Sequence, residues 1–244
     1  MTRPRMILFD YGGTLMAEPD HCPTNGSRAI WPYVCRDPHQ TGFEAFNAYL
    51  LAFFDEIRAA QGPLIEIHEH TFLRNVLAHF DMELSVSIEE AEWIIWNGIS
   101  RAVPMPGASE MLAALRRMGI RTGIISNLCW SGRALTRRVT EGFPAHPFDF
   151  IMTSSEYIFR KPDRHIFDMA IRKSGLAAAD IWYCGNDLTA DVLGAHGAGM
   201  TPVFYDDRRV PSNVREQNDQ MDIDVPYLTI GRWEELAALL LAAE

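Results

Sequence analysis

Four polar stretches of the sequence carry residue types suited to phosphoryl chemistry, and each follows or lies near an apolar run. They are DYGGT at 10–14, SN at 126–127, Lys161 within FRKPD, and GNDLTAD at 185–191. In-line attack on phosphorus requires a nucleophile, a cation and donors to the equatorial oxygens. If the substrate is a phosphate ester, Asp10 would attack and form an aspartyl-phosphate, with Lys161 and Ser126 as its catalytic partners.

Three of these candidate groups are carboxylates, which would repel one another at a single site. Mg²⁺ and Lys161 together would cancel the formal charge of Asp10, Asp187 and Asp191, and Mg²⁺ prefers carboxylate oxygens, water and substrate phosphate. The sequence therefore predicts a Mg²⁺ site that includes all three aspartates.

The remaining polar residues are candidates for binding the phosphate group. The glycines at 12 and 13 allow a sharp turn and let the backbone approach the substrate, so that N–H groups near Gly13 can donate to phosphate oxygens. Thr14, Ser126 and Asn127 would add neutral donors.

The elements that position these residues alternate between strands and helices. Short apolar runs predict strands at 6–9, 122–125, 150–153, 181–184, 202–205 and 227–230. Amphipathic stretches predict a helix at 107–118, with Ser109 as its cap, and another at 163–173. This alternation is typical of a parallel sheet covered by helices on both faces, and ligands collect at the carboxyl ends of such strands.

Residues 16–102 interrupt the alternation with apolar residues at helical intervals, which predicts an inserted helical bundle. The stretch PMPG at 104–107 is expected to act as a hinge back to the core. We expect Trp93 and Trp96 to lie in the core of the bundle, and the segment His68-Glu69-His70 to lie on the surface.

Composition excludes several classes of function. The chain has 244 residues, a net charge of −10 and no long basic run, which argues against a general nucleic-acid binder. The four cysteines have no zinc-ligand spacing and are expected to be reduced thiols. No signal peptide or membrane-spanning run is evident, so we expect a cytoplasmic protein. The sequence does not indicate an oligomeric state.

The motifs DYGGTL, IISN, KPD and GNDLTAD, in this order, resemble the four signature motifs of the haloacid dehalogenase (HAD) superfamily. The resemblance implies a Rossmann-like α/β core of residues 1–15 and 103–244, and a C1-type helical cap of residues 16–102. It also implies an aspartate nucleophile at Asp10, Mg²⁺ dependence and a metal ligand in the Gly12 backbone carbonyl.

Two positions depart from the superfamily pattern. Phosphatases of the superfamily usually carry a second aspartate, a general acid, where this chain has Gly12. General acid–base catalysis contributes roughly 10²–10⁴-fold, so esters with poor leaving groups should react slowly, while acyl and aryl phosphates should suffer least. Asn186 stands at an acidic position of the fourth motif, which favours Asp187 as the direct metal ligand and Asp191 as a ligand or outer partner.

Three functions fit these motifs. The leading one is a Mg²⁺-dependent phosphatase of a small phosphorylated metabolite. The second is a 2-haloacid dehalogenase-like hydrolase, because a departing halide needs no proton, although such enzymes dispense with Mg²⁺ and have a different fourth motif. The third is a catalytically silent binding protein with the same fold.

Overall fold

The computed structural model describes residues 2–243. Its strands are β1 (Met6–Phe9), β2 (Met16–Ala17), β3 (Val34–Arg36), β4 (Glu83–Leu84), β5 (Val103–Pro104), β6 (Arg121–Ser126), β7 (Phe150–Thr153), β8 (Ile181–Gly185), β9 (Thr201–Tyr205) and β10 (Leu228–Ile230). Its helices are α1 (Pro23–Ile30), α2 (Gly42–Gln61), α3 (Glu69–His79), α4 (Ile88–Ile99), α5 (Ala108–Arg117), α6 (Gly132–Gly142), α7 (Ser154–Tyr157), α8 (Arg164–Ser174), α9 (Gly194–Gly197), α10 (Arg215–Asp219) and α11 (Trp233–Ala242). A π-helical turn over Leu188–Leu193 follows β8.

The core is a parallel sheet that, within the described residues, has six strands in the order β10-β9-β8-β1-β6-β7. Strand β1 lies between β6 and β8, with Phe9 level with Ile124 and Cys184. Every residue of β1 is fully buried, because both faces of the sheet are covered. This register brings the carboxyl ends of three neighbouring strands to one edge, as the sequence predicts.

The predicted core elements are confirmed with small shifts in their bounds. Helices α5 and α8 occupy the two amphipathic stretches. The expectation for Ser109 is wrong, because it lies inside α5 and the residue at the helix start is Gly107, with φ of +80°. A left-handed φ is accessible to glycine without steric cost, which explains why glycine and not the serine begins this helix.

The inserted region contains α1 to α4, joined to the core by an antiparallel pair of β2 and β5. Helix α1 was not predicted from the sequence. It packs closely on α4, since a β-carbon added at Gly26 would lie 2.5 Å from the Ile99 side chain and one at Gly98 would lie 2.7 Å from Ala29. Glycines at the crossing therefore permit the close packing of these two helices.

Burial tests two further expectations for the inserted region. Trp96 is fully buried and Trp93 packs against the core, as predicted. The segment His68-Glu69-His70 is not a surface segment, because Glu69 is buried and the imidazole of His70 lies 2.9 Å from a carboxylate oxygen of buried Glu92. The expectation was wrong because it rested on the polar residue types alone, whereas polar side chains can be buried when they pair with one another.

Two remaining observations concern the cysteines and the membrane. All four cysteines are free thiols, as predicted. No helix within residues 2–243 is both long and apolar enough to cross a membrane.

Candidate active site

The ammonium group of Lys161 is the centre of the polar cluster at the strand ends. It is 2.7 Å from each of three oxygens, belonging to Asp10, Asp191 and the phenol of Tyr183. An ammonium has three N–H donors, so these contacts engage all of them. Burial lowers the pKa of Lys161, but the attraction of Asp10 and Asp191 outweighs this effect and the net pKa is raised. Lys161 is therefore a fixed cation.

Neighbouring residues hold this lysine in place. The side-chain amide of Asn127 donates to the Lys161 carbonyl at 2.9 Å and accepts from the Lys161 N–H at 2.7 Å. The phenol of Tyr183 donates to the Ile125 carbonyl at 2.9 Å, which directs its oxygen lone pairs to the ammonium. Asn127 thus positions Lys161 through the Lys161 backbone, and it also lines the cavity, where its contact with phosphate stays a prediction.

Asp10 lies at the carboxyl end of β1, and only 8% of its surface is exposed. The Ser126 hydroxyl donates to the same carboxylate oxygen as Lys161, at 3.2 Å. Burial raises the pKa of Asp10, Lys161 lowers it and Asp191 raises it, giving about 6. The carboxylate is therefore ionised at neutral pH and oriented by two donors, as a nucleophile must be.

The loop after Asp10 turns sharply beside Asn186. Gly13 has φ of +72°, and an added β-carbon there would lie 2.5 Å from the Asn186 amide nitrogen. The Thr14 hydroxyl is fully buried and donates to the Asn186 side-chain oxygen at 3.3 Å. Thr14 therefore braces Asn186, which differs from its predicted role as a donor to substrate. Gly12 is exposed, and an added β-carbon would meet no atom of the described residues within 4 Å.

The two aspartates of the fourth motif have different environments. One Asp191 oxygen accepts from Lys161, and the other accepts from the Asp187 N–H at 3.0 Å. An Asp187 oxygen accepts from the Thr189 and Ala190 N–H groups, both at 2.8 Å. Within residues 2–243, no three His, Cys, Asp or Glu side chains are grouped to hold a metal ion. Asp10 and Asp191 are therefore joined through Lys161. The three aspartates Asp10, Asp187 and Asp191 do not converge on one point.

A cavity of about 870 Å³ opens over this cluster. Its floor includes Asp10, Ser126, Lys161 and Asp187, and its walls include residues from two other regions. One consists of residues 17–19 and His21, which lead into the inserted helices, and the other is Val210–Val214. The second wall was not predicted, since nothing in its sequence indicates a contact with the strand ends.

Two buried residues of the site also escaped sequence reasoning. Tyr183 lies within an apolar strand, where a tyrosine usually serves packing. Asn218 lies in α10, and its amide donates to the Asn186 carbonyl at 2.8 Å and accepts from the Leu188 N–H at 3.0 Å. Only the fold brings this residue to the fourth motif.

Comparison with known proteins places the site in context. The model of the haloacid dehalogenase-like hydrolase family matches residues 4–199. The chain is 30% identical over 125 residues to the glyceraldehyde 3-phosphate phosphatase of Methanothermobacter thermautotrophicus, a match that covers 51% of this chain and 54% of that protein. The chain thus spans about half the length of that relative.

Two further proteins are similar over most of the chain. The ribulose-1,5-bisphosphate 5-phosphatase of Halopiger xanaduensis is 24% identical over 221 residues, which is 88% of this chain and 89% of that protein. The crystal structure of a HAD phosphatase from Thermococcus onnurineus superposes with a TM-score of 0.61 and 19% identity, covering 100% of this chain and 99% of that one. The structural similarity concerns the fold.

Proposed function

This chain belongs to the haloacid dehalogenase-like hydrolases, and from that premise we propose that it is a Mg²⁺-dependent phosphatase of a small phosphorylated metabolite. The reaction would proceed through an aspartyl-phosphate on Asp10. The observation that carries this proposal is the Lys161 ammonium, which fixes the carboxylates of Asp10 and Asp191 at the base of the cavity. Related proteins named as phosphatases support the same reaction class.

The donor set at the base of the cavity suits Mg²⁺. Asp10, Gly12, Asn186 and Asp187 all line the cavity. Their carboxylate, carbonyl and amide oxygens are hard donors of the kind that Mg²⁺ prefers. Mg²⁺ is usually bound by one or two carboxylates with water and substrate phosphate, so it needs no cluster of three acids. Asp191 would act as an outer partner, because both of its oxygens accept from protein donors. When bound, the ion would neutralise charge on the phosphoryl group.

The protein's own residues then divide the chemistry. Asp10 attacks phosphorus, and the Ser126 hydroxyl and Lys161 hold its other oxygen in place. The Gly13 N–H donates to the Met16 carbonyl at 2.8 Å, so other N–H groups of this loop, which borders the cavity, are the candidate donors to the phosphate. Lys161 also supplies fixed positive charge to the dianionic substrate, which is stabilising in a water-poor site.

Phosphate release from a panel of alkyl, acyl and aryl phosphates, with Mg²⁺ and with EDTA, tests this function. We expect Mg²⁺-dependent release that is abolished in Asp10→Asn and retained in the control Asp55→Asn, whose exposed carboxylate lies in α2. Acid-quenched enzyme should gain the mass of one phosphoryl group. Failure to release phosphate from every substrate would contradict the proposal. Halide release from a 2-haloacid that is insensitive to EDTA would favour the dehalogenase alternative.

A further inference from the structure

The cluster around Asp10 offers no general acid to protonate the leaving group. When Asp10 displaces an alkoxide from phosphorus, the alkoxide requires a proton, and general acid catalysis supplies it. Gly12 has no side chain to do so, and the space beside it is open. A proton donor for the alkoxide must therefore come from the cavity walls.

Most titratable side chains of the cavity walls are engaged with other protein groups. Lys161 uses its three donors, and Asp187 accepts from backbone N–H groups. The phenol of Tyr11 donates to Glu18 at 2.8 Å, and burial raises its pKa far above the usual range. Glu18 also accepts from the Arg138 guanidinium at 2.8 Å, so it too is engaged with the protein. Arg160 donates to Glu66.

His21 differs from all of these side chains. It lines the cavity, it is exposed, and its ring has no hydrogen bond to any other residue in the described part of the chain. Imidazole is the side chain that exchanges protons most readily between pH 5 and 8. Its chemistry and its place in the wall therefore suit a proton donor.

The backbone on either side of His21 is anchored, although its ring is not. The Cys22 N–H donates to the Ile99 carbonyl at 3.0 Å, and the Ser100 hydroxyl donates to the Pro19 carbonyl. These contacts come from the end of α4 and fix the segment that carries the imidazole beside the cavity. The backbone beside His21 is thus held by α4, while the ring itself is exposed to the cavity.

We propose that His21 is a catalytic acid and base for the phosphatase reaction, acting on substrates whose leaving group is an alkoxide. This proposal rests on the proposed function. As the Asp10 oxygen bonds to phosphorus and the bond to the alkoxide breaks, the His21 imidazolium gives its proton to the departing oxygen. The neutral imidazole then removes a proton from the water that attacks the phosphoryl group. Inorganic phosphate leaves, and the Asp10 carboxylate and the imidazolium are regenerated.

The charged groups around His21 come from several elements. Glu18 and Asp20 lie on its own segment, while Asp10 and Asp187 lie at the strand ends. The cations in the same cavity wall are Arg160 and Lys161. Comparing two leaving groups therefore separates proton donation by His21 from a general change in the electrostatic field of the site.

The experiment compares His21→Gln with wild type on p-nitrophenyl phosphate, whose leaving group needs no proton, and on glycerol 3-phosphate, whose leaving group needs one. We expect kcat on glycerol 3-phosphate to fall roughly 10²–10⁴-fold, with a far smaller loss on p-nitrophenyl phosphate. The matched control is His39→Gln, an exposed cap histidine outside the cavity wall, which should behave as wild type on both substrates. Thermal unfolding checks that each variant is folded.

Two outcomes would overturn the inference. Equal losses on the two substrates would mean that His21 acts on the site in general, and an unchanged kcat on glycerol 3-phosphate would mean that it donates no proton. In both cases wild type still releases phosphate, so the proposed function stands. If wild type releases phosphate from neither substrate, nor from the wider panel, the proposed function itself fails and the inference fails with it.

Discussion

Lys161 supplies the positive charge that balances the carboxylates of Asp10 and Asp191 in the site. It lies 2.7 Å from carboxylate oxygens of both Asp10 and Asp191, and it is 3% exposed. Removing one partner of a buried ion pair leaves an uncompensated charge, which costs about 3–5 kcal/mol. At the residue scale, the cluster therefore serves stability and reactivity together.

The substitution Lys161→Met tests this dual role. We expect no measurable turnover, and a free energy of unfolding that is about 3–5 kcal/mol lower at neutral pH, since two buried carboxylates lose their shared partner. Urea denaturation measures the stability, and phosphate release measures the activity. Lys173→Met is the control, because Lys173 is exposed at the end of α8. A variant as stable as wild type would show that the carboxylates find other partners.

Gly185 offers a second residue-scale prediction, because it lies against the side chain of Asp191. A β-carbon added at Gly185 would lie 2.2 Å from the Asp191 carboxylate carbon, so Gly185→Ala should displace Asp191 from Lys161. Small displacements of catalytic groups can cost on the order of 100-fold in rate, and overpacking costs about 1–3 kcal/mol. We expect losses of this size in kcat and in the free energy of unfolding.

The control for Gly185→Ala is Gly197→Ala. An added β-carbon at Gly197 meets no atom of the described residues within 4 Å, so this variant should keep wild-type activity and stability. Comparable activity in the two variants would show that the contact between residue 185 and Asp191 is unimportant.

At the scale of elements, the sequence predicts the strands of the core well and the inserted region less well. Apolar runs mark the buried strands because both faces of a parallel sheet are covered. Helix α1 gives no such signal, since its sequence PTNGSRAI contains few apolar residues and its packing depends on Gly26. Tyr183 and Asn218 enter the site only through tertiary contacts, which residue spacing does not encode.

Helix α10 acts on the site through Asn218, which contacts the chain on both sides of Asp187. Its amide pairs with the Asn186 carbonyl and the Leu188 N–H. We predict that Asn218→Ala weakens Mg²⁺ binding, because Asp187 loses its fixed orientation while the two backbone groups lose their partner at a cost of about 1–3 kcal/mol. Isothermal titration with Mg²⁺, and the Mg²⁺ concentration for half-maximal activity, measure the effect.

The control for Asn218→Ala is Gln217→Ala, a neighbouring exposed residue of the same helix. It should bind Mg²⁺ as wild type does. Unchanged Mg²⁺ affinity in Asn218→Ala, with reduced stability, would restrict Asn218 to a structural role.

At the scale of the whole molecule, the loop between α2 and α3 contacts the core next to Lys161. The Glu66 N–H donates to the Ile158 carbonyl at 2.7 Å, and the Arg160 N–H donates to the Leu64 carbonyl at 2.9 Å. Arg160, which makes the second of these hydrogen bonds, immediately precedes Lys161 in the chain. Movement of the inserted helices relative to the core would therefore displace the loop that carries Lys161.

Buried carboxylates lie at this same interface. Glu92 of α4 accepts from the N–H and hydroxyl of Ser131 at the start of α6, at 2.6 and 2.7 Å. The Glu69 N–H donates to the Cys129 carbonyl at 2.8 Å, which holds the start of α3 against the core. Burial raises the pKa of Glu69, with repulsion from Glu92 adding to the effect, to about 8. At neutral pH the folded interface therefore holds a proton that the unfolded chain does not bind.

This raised pKa predicts how stability varies with pH. The unfolded chain releases the Glu69 proton near the ordinary glutamate pKa of 4.5, whereas the folded protein keeps it until about pH 8. Between these values the folded state binds more protons, so the contribution of Glu69 to stability is full below about pH 4.5 and is lost as pH rises through 8. Glu69→Gln carries no such proton, so it should unfold at a higher temperature than wild type at pH 8, with a smaller gain at pH 5. Glu90→Gln removes a charge from an exposed position of α4 and should shift the unfolding temperature equally at both pH values. A difference between Glu69→Gln and wild type that does not change with pH would mean that the buried carboxyl does not titrate in this range.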